Sequence, residues 1–248
     1  MAVSPQTTES GHLLVSIDRD EFLADYWDYK AGQHVTILGP TDRGKSTLGF
    51  DLLGATATRE MQAFVLVSKP RDETIDKYAA KLHFKTIQTY PPDQPFLKRN
   101  RPRGYMVRPH QTLNDLKADD KQLHDVFQAT MLDCYASKEP RIVVADEVQE
   151  LQNNLGLKRE CEAYWKRGRS LKAGLWAFAQ RSAHNSQDMY NAPTHLFLFN
   201  DPDKRNRIRF SEIGGVDPDL VMECVNNLDT YQALYINRKG PWLCVVNP

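Results

Sequence analysis

The sequence has no apolar run of the roughly 18 residues that a membrane-spanning helix needs. Its opening, MAVSPQTTESGH, also lacks the basic-then-apolar pattern of a secretory signal. These two absences lead to the expectation of a soluble, cytoplasmic protein that does not insert into membranes. Charge of one sign is missing too, since Lys plus Arg and Asp plus Glu each number 32. That excludes a polycation coating nucleic acid by bulk charge, so any such contact has to be local. The four cysteines, Cys134, Cys161, Cys224 and Cys244, are widely spaced and form no CxxC or zinc pattern. They are expected to be reduced thiols in the core. Internal repeats and low-complexity tracts are absent as well.

What is present is an α/β pattern. With 248 residues and 41% apolar content, the chain can fill one large core. The expected organisation is a flexible arm over residues 1–11 and a single domain over 12–248. After HLLVSI and EFLADYWDY come the short apolar runs HVTILG, AFVLVSK, YMVRP, RIVVADE, GLWAFAQ, THLFLFN, QALYIN and WLCVV. Runs this short and this rich in β-branched and aromatic residues predict buried strands. Between them, KSTLGFDLLGA, LKADDKQLHDVFQATMLDCYAS, KRECEAYWKRGRSL and DPDLVMECVNNL carry helical spacing. Strands alternating with helices predict a mainly parallel sheet covered on both faces. The last two runs, joined through RKGP, predict a C-terminal β-hairpin. Residues 91–104, PPDQPFLKRNRPRG, are rich in proline and basic residues and predict an exposed, semi-extended loop.

The chemistry starts at Gly39-Pro40-Thr41-Asp42-Arg43-Gly44-Lys45-Ser46-Thr47, which satisfies GxxxxGK[ST] between a predicted strand and a predicted helix. Such a loop turns its backbone N–H groups around a β-phosphate and adds the positive end of the following helix. Lys45 is expected on the β- and γ-phosphates of ATP, and Ser46 on Mg²⁺. About a hundred residues later RIVVADE ends in Asp146-Glu147, at the carboxyl end of a predicted strand, where open α/β sheets place their ligands. Asp146 suits the Mg²⁺ shell and Glu147 suits the base that deprotonates an attacking water. The adjacent acids, with no NKxD guanine-reading sequence, favour ATP hydrolysis over a switch-type GTPase. At the end of GLWAFAQRS, Gln180 is placed to meet the γ-phosphate or the water.

The stretch from KRGRSL to EIGG resembles the corresponding region of the FtsK/HerA superfamily of ring-shaped DNA-pumping ATPases, through Gly168-Arg169, Gln180-Arg181, THLFLF and Gly214-Gly215. Together with the phosphate loop and Asp146-Glu147, the resemblance covers about residues 30–215. Ser182 departs from it, because proline is common in the family at that position. The resemblance implies a RecA-like P-loop core, a homo-oligomeric ring of five or six subunits, and translocation of double-stranded DNA. It further implies Arg169, with Arg167 as rival, as an arginine finger on a neighbouring subunit's γ-phosphate. A motor core without appended modules is most similar to the viral genome-packaging branch or to a phage or plasmid relative, which implies genome packaging or plasmid or phage DNA transfer. That points to host cytoplasm or virion, with a portal, capsid or recruiting protein as partner.

A ring motor grips the phosphate backbone with a few loop residues, so overall neutrality is compatible with DNA binding. Three basic clusters are candidates: Lys98, Arg99, Arg101 and Arg103; Lys204, Arg205, Arg207 and Arg209; and Lys158 with Arg159, in the loop that follows Glu147. The last is favoured because motion at Glu147 passes directly into it, and binding is expected to be indifferent to base sequence and weakened by salt. The rival readings are a phage assembly or export ATPase acting on a protein partner, a terminase-type packaging ATPase, and a small-molecule kinase.

Overall fold

Nine of the sequence's apolar runs become strands, because each has too few polar positions to stand on a solvated face. The computed structural model describes residues 4–7, 13–93, 95, 97–180, 186–210, 212–240 and 242–248. The strands are β1 (Ser4–Thr7), β2 (Leu13–Asp18), β3 (Val35–Leu38), β4 (Gln62–Leu66), β5 (Lys85–Ile87), β6 (Gly104–Val107), β7 (Arg141–Ala145), β8 (Ala173–Ala179), β9 (His195–Phe199), β10 (Ala233–Asn237) and β11 (Trp242–Asn247). They form one 11-stranded sheet in the order β1-β2-β11-β10-β9-β3-β8-β7-β4-β6-β5. From β9 to β5 every pairing is parallel. The expected hairpin is present, with β10 antiparallel to β11 and also to β9. Two strands escaped the sequence reading. β5 is an edge strand with two exposed positions, and β1 lies inside the stretch expected to be an arm, where Ser4–Thr7 pairs antiparallel with β2.

Successive strand residues face opposite layers, so a fully buried strand feeds two cores. On β8, Leu175, Ala177 and Ala179 enter one and Trp176 and Phe178 the other. The helices Lys45–Thr56 and Glu73–Leu82 cover the second face, through Leu48, Leu52, Leu53, Ile75 and Tyr78. Helices Leu116–Ala136, Lys158–Arg167 and Pro218–Asn226 cover the first, through Phe127, Met131, Tyr164, Trp165 and Val221. All four cysteines are buried and free, and burial pushes the Cys161 and Cys244 thiols up to about 12.

Local chemistry sets the helix starts. Asp72 accepts a hydrogen bond from the Ile75 N–H, and Asp115 from the N–H groups of Lys117 and Ala118. The helix Glu73–Leu82 was not among the helices read from the sequence, although Asp72 and its acidic first turn mark it. Gly49, in mid-helix, is required by packing. A Cβ there would lie 2.1 Å from Cζ of the buried Phe178.

The proline-rich segment 91–104 is less open than expected. Arg101 pairs with Glu139 at 2.9 Å. Arg103 donates through Nε to the Ala57 carbonyl at 2.7 Å and also to the Gly54 carbonyl, closing the end of helix Lys45–Thr56. Pro102 and Gly104 are buried. A helix C-terminus presents free carbonyls, and Arg103 is the cation that reaches them, which draws this end of the segment onto the domain.

Candidate nucleotide-binding site

The phosphate loop hangs from the carboxyl end of β3, in mid-sheet, and is tied to its neighbour. The Gly39 N–H donates to the Ala179 carbonyl at 3.2 Å, and the Thr41 hydroxyl to Gln180 Oε1 at 3.2 Å. Gly44 has φ 87, a left-handed conformation that glycine adopts without strain, and from there the helix Lys45–Thr56 begins. Thr41, Asp42, Gly44, Lys45, Ser46 and Thr47 line a cleft of about 400 Å³ together with Asp146, Glu147 and Gln180. Gly39, Pro40 and Arg43 build the loop but do not line this cleft. Lys45 bends back, and its Nζ donates to the Pro40 carbonyl at 2.7 Å.

β7 and β8 deliver the other half of the site. Asp146 follows the last residue of β7, is buried, and accepts from the Ser46 hydroxyl at 3.5 Å. Its second oxygen lies 3.7 Å from Nζ of Lys69, which also reaches Asp72 at 3.3 Å. Burial pushes the Asp146 carboxyl above its usual range, with Lys69 opposing. Burial likewise raises Glu147, with Lys45 opposing, and Glu147 Oε1 is buried without a hydrogen-bond partner. Lys45 is lowered by burial, with Glu147 and Asp146 pulling the other way. A half-buried carboxylate with raised basicity and an unpaired oxygen is suited to accept a proton. Ser46 and Asp146 offer the hard oxygen donors that Mg²⁺ takes from protein when it also keeps waters and phosphate oxygens. Among the described residues no cluster of three or more His, Cys, Asp or Glu could hold a metal.

The sequence reading missed Lys69, Asp72, Thr74 and Tyr231, which also line the cleft. Lys69 carried a signal in its position just past β4, at the ligand-binding end of the sheet. A second cleft, of about 590 Å³, opens beyond Lys69, Glu147 and Gln180 and is lined by amides and carboxylates that include Gln149, Asn153 and Glu150.

Arg167 and Arg169 are exposed where Lys158–Arg167 ends and β8 begins, at the amino end of the sheet. Neither has an ion-pair partner among the described residues. β8 has seven residues, and at about 3.3 Å each it separates them from Gln180 by roughly 23 Å. Neither arginine reaches the cleft of its own chain. Lys158 and Arg159 are exposed at the opposite end of their helix, beside the π-helix Glu150–Asn154 that leads away from Glu147. Arg99 is exposed, the Lys98 side chain lies outside the described residues, and so does Arg181. The basic stretch 204–210 forms a short helix, in which Arg205 pairs with Asp203 and Arg209 with Glu212, while Arg207 donates to the Asp201 carbonyl.

This architecture, with the loop on a central parallel strand, Gln180 at the end of the adjacent strand β8 and both acids at the end of β7 beyond it, is a RecA-like P-loop NTPase fold, shared with solved ATPases of the FtsK/HerA type that the sequence resembles. The genome packaging NTPase B204 from Sulfolobus turreted icosahedral virus 2, solved with AMPPCP, aligns over 89% of this chain and 100% of its own at 12% identity and TM-score 0.58. VirB4 of Thermoanaerobacter pseudethanolicus aligns over 99% and 96% at 10% identity and TM-score 0.64. The cytoplasmic domain of the type VII secretion ATPase EccC from Thermomonospora curvata aligns over 97% of this chain but 27% of its own, at 16% identity and TM-score 0.58. No family model and no curated protein matches the sequence. No helix among the described residues is long and apolar enough to cross a membrane.

Proposed function

We propose that the chain is a Mg²⁺-dependent ATP hydrolase that works as a double-stranded-DNA motor in a homo-oligomeric ring, in viral genome packaging or in phage or plasmid DNA transfer. The observation that carries the hydrolytic part is the convergence of Lys45, Ser46, Asp146 and Glu147 in one cleft, with a buried Glu147 oxygen unpaired. The loop N–H groups and Lys45 hold the phosphates and offset charge at the γ-phosphate, and Gln180 orients the water that Glu147 deprotonates. Mg²⁺, held by Ser46 and Asp146, would supply further neutralisation of phosphate charge.

The ring rests on a different argument. Arg167 and Arg169 stand at the end of the sheet away from their own cleft, so a finger built from either serves a neighbouring copy. The resemblance to ring ATPases supports this placement, with Arg169 as the first choice. For DNA, Lys158 and Arg159 occupy the first turn of their helix, where the macrodipole disfavours cations. An arrangement that opposes the dipole and stays exposed favours an anionic partner, and the π-helix joins it to Glu147. Arg101 and Arg103 are engaged within the chain, which leaves Arg99 as the available cation of that cluster whose side chain is described. A portal, capsid or recruiting protein would complete the assembly in host cytoplasm or virion.

The test is steady-state ATPase activity with Mg²⁺, with and without long double-stranded DNA, over a range of protein concentrations. DNA stimulation that rises more than linearly with protein, and that Glu147→Gln abolishes, is the expected result. Activity indifferent to DNA and linear in protein would replace this reading with an ATPase acting on a protein partner. Wild-type rates from Glu147→Gln would remove Glu147 as the base.

A further inference from the structure

Tyr231 is an aromatic residue in a place that costs the chain something. The turn Asp229–Gln232 closes with a hydrogen bond from the Gln232 N–H to the Asp229 carbonyl at 3.2 Å, and Tyr231 is its third residue. Its φ is 71, and a turn with positive φ at that position calls for glycine or asparagine. The ring gains little in return from the core, because Tyr231 is 48% exposed and pairs with no other ring among the described residues. The turn is held firmly. Gln232 Oε1 accepts from the Asp229 N–H at 2.8 Å, Gln232 Nε2 donates to Asn247 at 3.0 Å, and Asn200 donates to the Leu228 carbonyl at 3.1 Å. An exposed, strained aromatic on a rigid turn points to a ligand.

Strand order says which part of the ligand. The acids and Gln180 end β7 and β8, on one side of the phosphate-loop strand β3, whereas Tyr231 precedes β10, on the other side. β10 runs antiparallel to β9, so its start, Ala233 opposite Phe199, lies at the same end of the sheet as the loop. The ring flanks Gly44, where a Cβ would come within 3.2 Å of Tyr231 Cδ1. A nucleoside triphosphate with its γ-phosphate toward Glu147 therefore carries its base toward Tyr231.

We propose that Tyr231 is the nucleobase platform of this cleft, stacking on the face of a purine and so distinguishing a purine nucleotide from a bare polyphosphate. The inference rests on the nucleotide-binding reading above and deepens it. Stacking uses the π-face and no base edge, so ATP and GTP are both held, and more tightly than CTP.

The experiment is calorimetric binding of ATPγS and of inorganic tripolyphosphate, each with Mg²⁺, to wild type, Tyr231→Ala, Tyr231→Phe and Tyr231→Gly, with thermal melts of all four. Wild type is expected to bind ATPγS more tightly than tripolyphosphate. Tyr231→Ala should weaken ATPγS about tenfold and leave tripolyphosphate unchanged, while Tyr231→Phe keeps wild-type affinity for both. Tyr231→Gly should melt higher, its turn relieved, yet bind ATPγS as weakly as the alanine variant. Equal ATPγS affinity in wild type and the folded alanine or glycine variants overturns the platform while nucleotide binding stands. If wild type binds neither ligand, the nucleotide reading fails with it.

Discussion

The hydroxyl of Ser46 lies 3.5 Å from a carboxylate oxygen of Asp146, 100 residues away in sequence. Lys69 stands at 3.7 Å on the carboxylate's other oxygen. A buried acid is thus held between a neutral donor and a half-exposed cation of the same chain, on the atoms that a divalent ion would use.

Lys69 competes with that ion for Asp146. In nucleotide-free protein, Lys69→Met should tighten Mn²⁺ binding by at least about fivefold, since one unit charge near 4 Å is worth about 1 kcal/mol even at the full screening of water. Because Lys69 is half exposed, stability should change by less than about 1 kcal/mol. Electron paramagnetic titration of free Mn²⁺ reads the affinity, and an unchanged curve would mean that Lys69 exerts no hold on the site.

A finger acting between copies predicts complementation. Arg169→Ala and Lys45→Ala should each be inactive alone. Mixed in equal amounts, they should recover about a quarter of wild-type ATPase activity, since half the cleft-bearing and half the finger-bearing positions are intact. Mixtures as inactive as their components would exclude Arg169 as the shared group, and the same experiment with Arg167→Ala decides between the two.

Gly49→Ala would ordinarily favour a helix. Here the added methyl meets the buried Phe178 ring, and overpacking should cost about 1–3 kcal/mol. Calorimetry should show Tm lower by roughly 3–10 °C, with partial recovery in the Gly49→Ala/Phe178→Leu double variant. A rise in Tm would show that the helix and β8 can separate freely at this contact.

Two buried histidines make the fold acid-sensitive. Burial lowers His34 to about 4 and His195 to about 3, and His195 sits between the Tyr235 hydroxyl and Gln33. The unfolded chain binds these protons near pH 6.5 and the native state does not. Stability is therefore fully present above about pH 6.5 and falls as pH drops toward 4 and then 3. At pH 5 each imidazole should cost about 2 kcal/mol. Urea unfolding at pH 7 and pH 5 measures the loss, and His195→Gln should reduce its size. An undiminished slope in that variant would assign the sensitivity elsewhere.

Much of this was legible in the residues. Strands buried on both faces must be apolar throughout, so β3, β4 and β6–β10 announce themselves as runs, and β2 and β11 carry apolar runs although each is only partly buried. The phosphate loop is a local backbone device, and its glycines and lysine are adjacent in sequence for that reason. Asp146-Glu147 could be read because a buried strand ended there. The edge strand β5, half solvated, offered no comparable run. The helix Glu73–Leu82 carried its signals in Asp72, in its acidic first turn and in the helical spacing of Ile75, Tyr78 and Leu82.

The tertiary structure decided what strand order brings together. Lys69 follows β4, Asp146 follows β7, Gln180 follows β8 and Tyr231 precedes β10, yet all line one cleft because these strand ends gather around β3. Arg103 and Arg101 read alike as exposed cations until folding set them beside the Gly54 and Ala57 carbonyls and beside Glu139. Spacing along the chain describes neighbours within one helix or strand. Which ends of a parallel sheet meet is set by long crossovers, whose order leaves no mark on the residues they bring into contact.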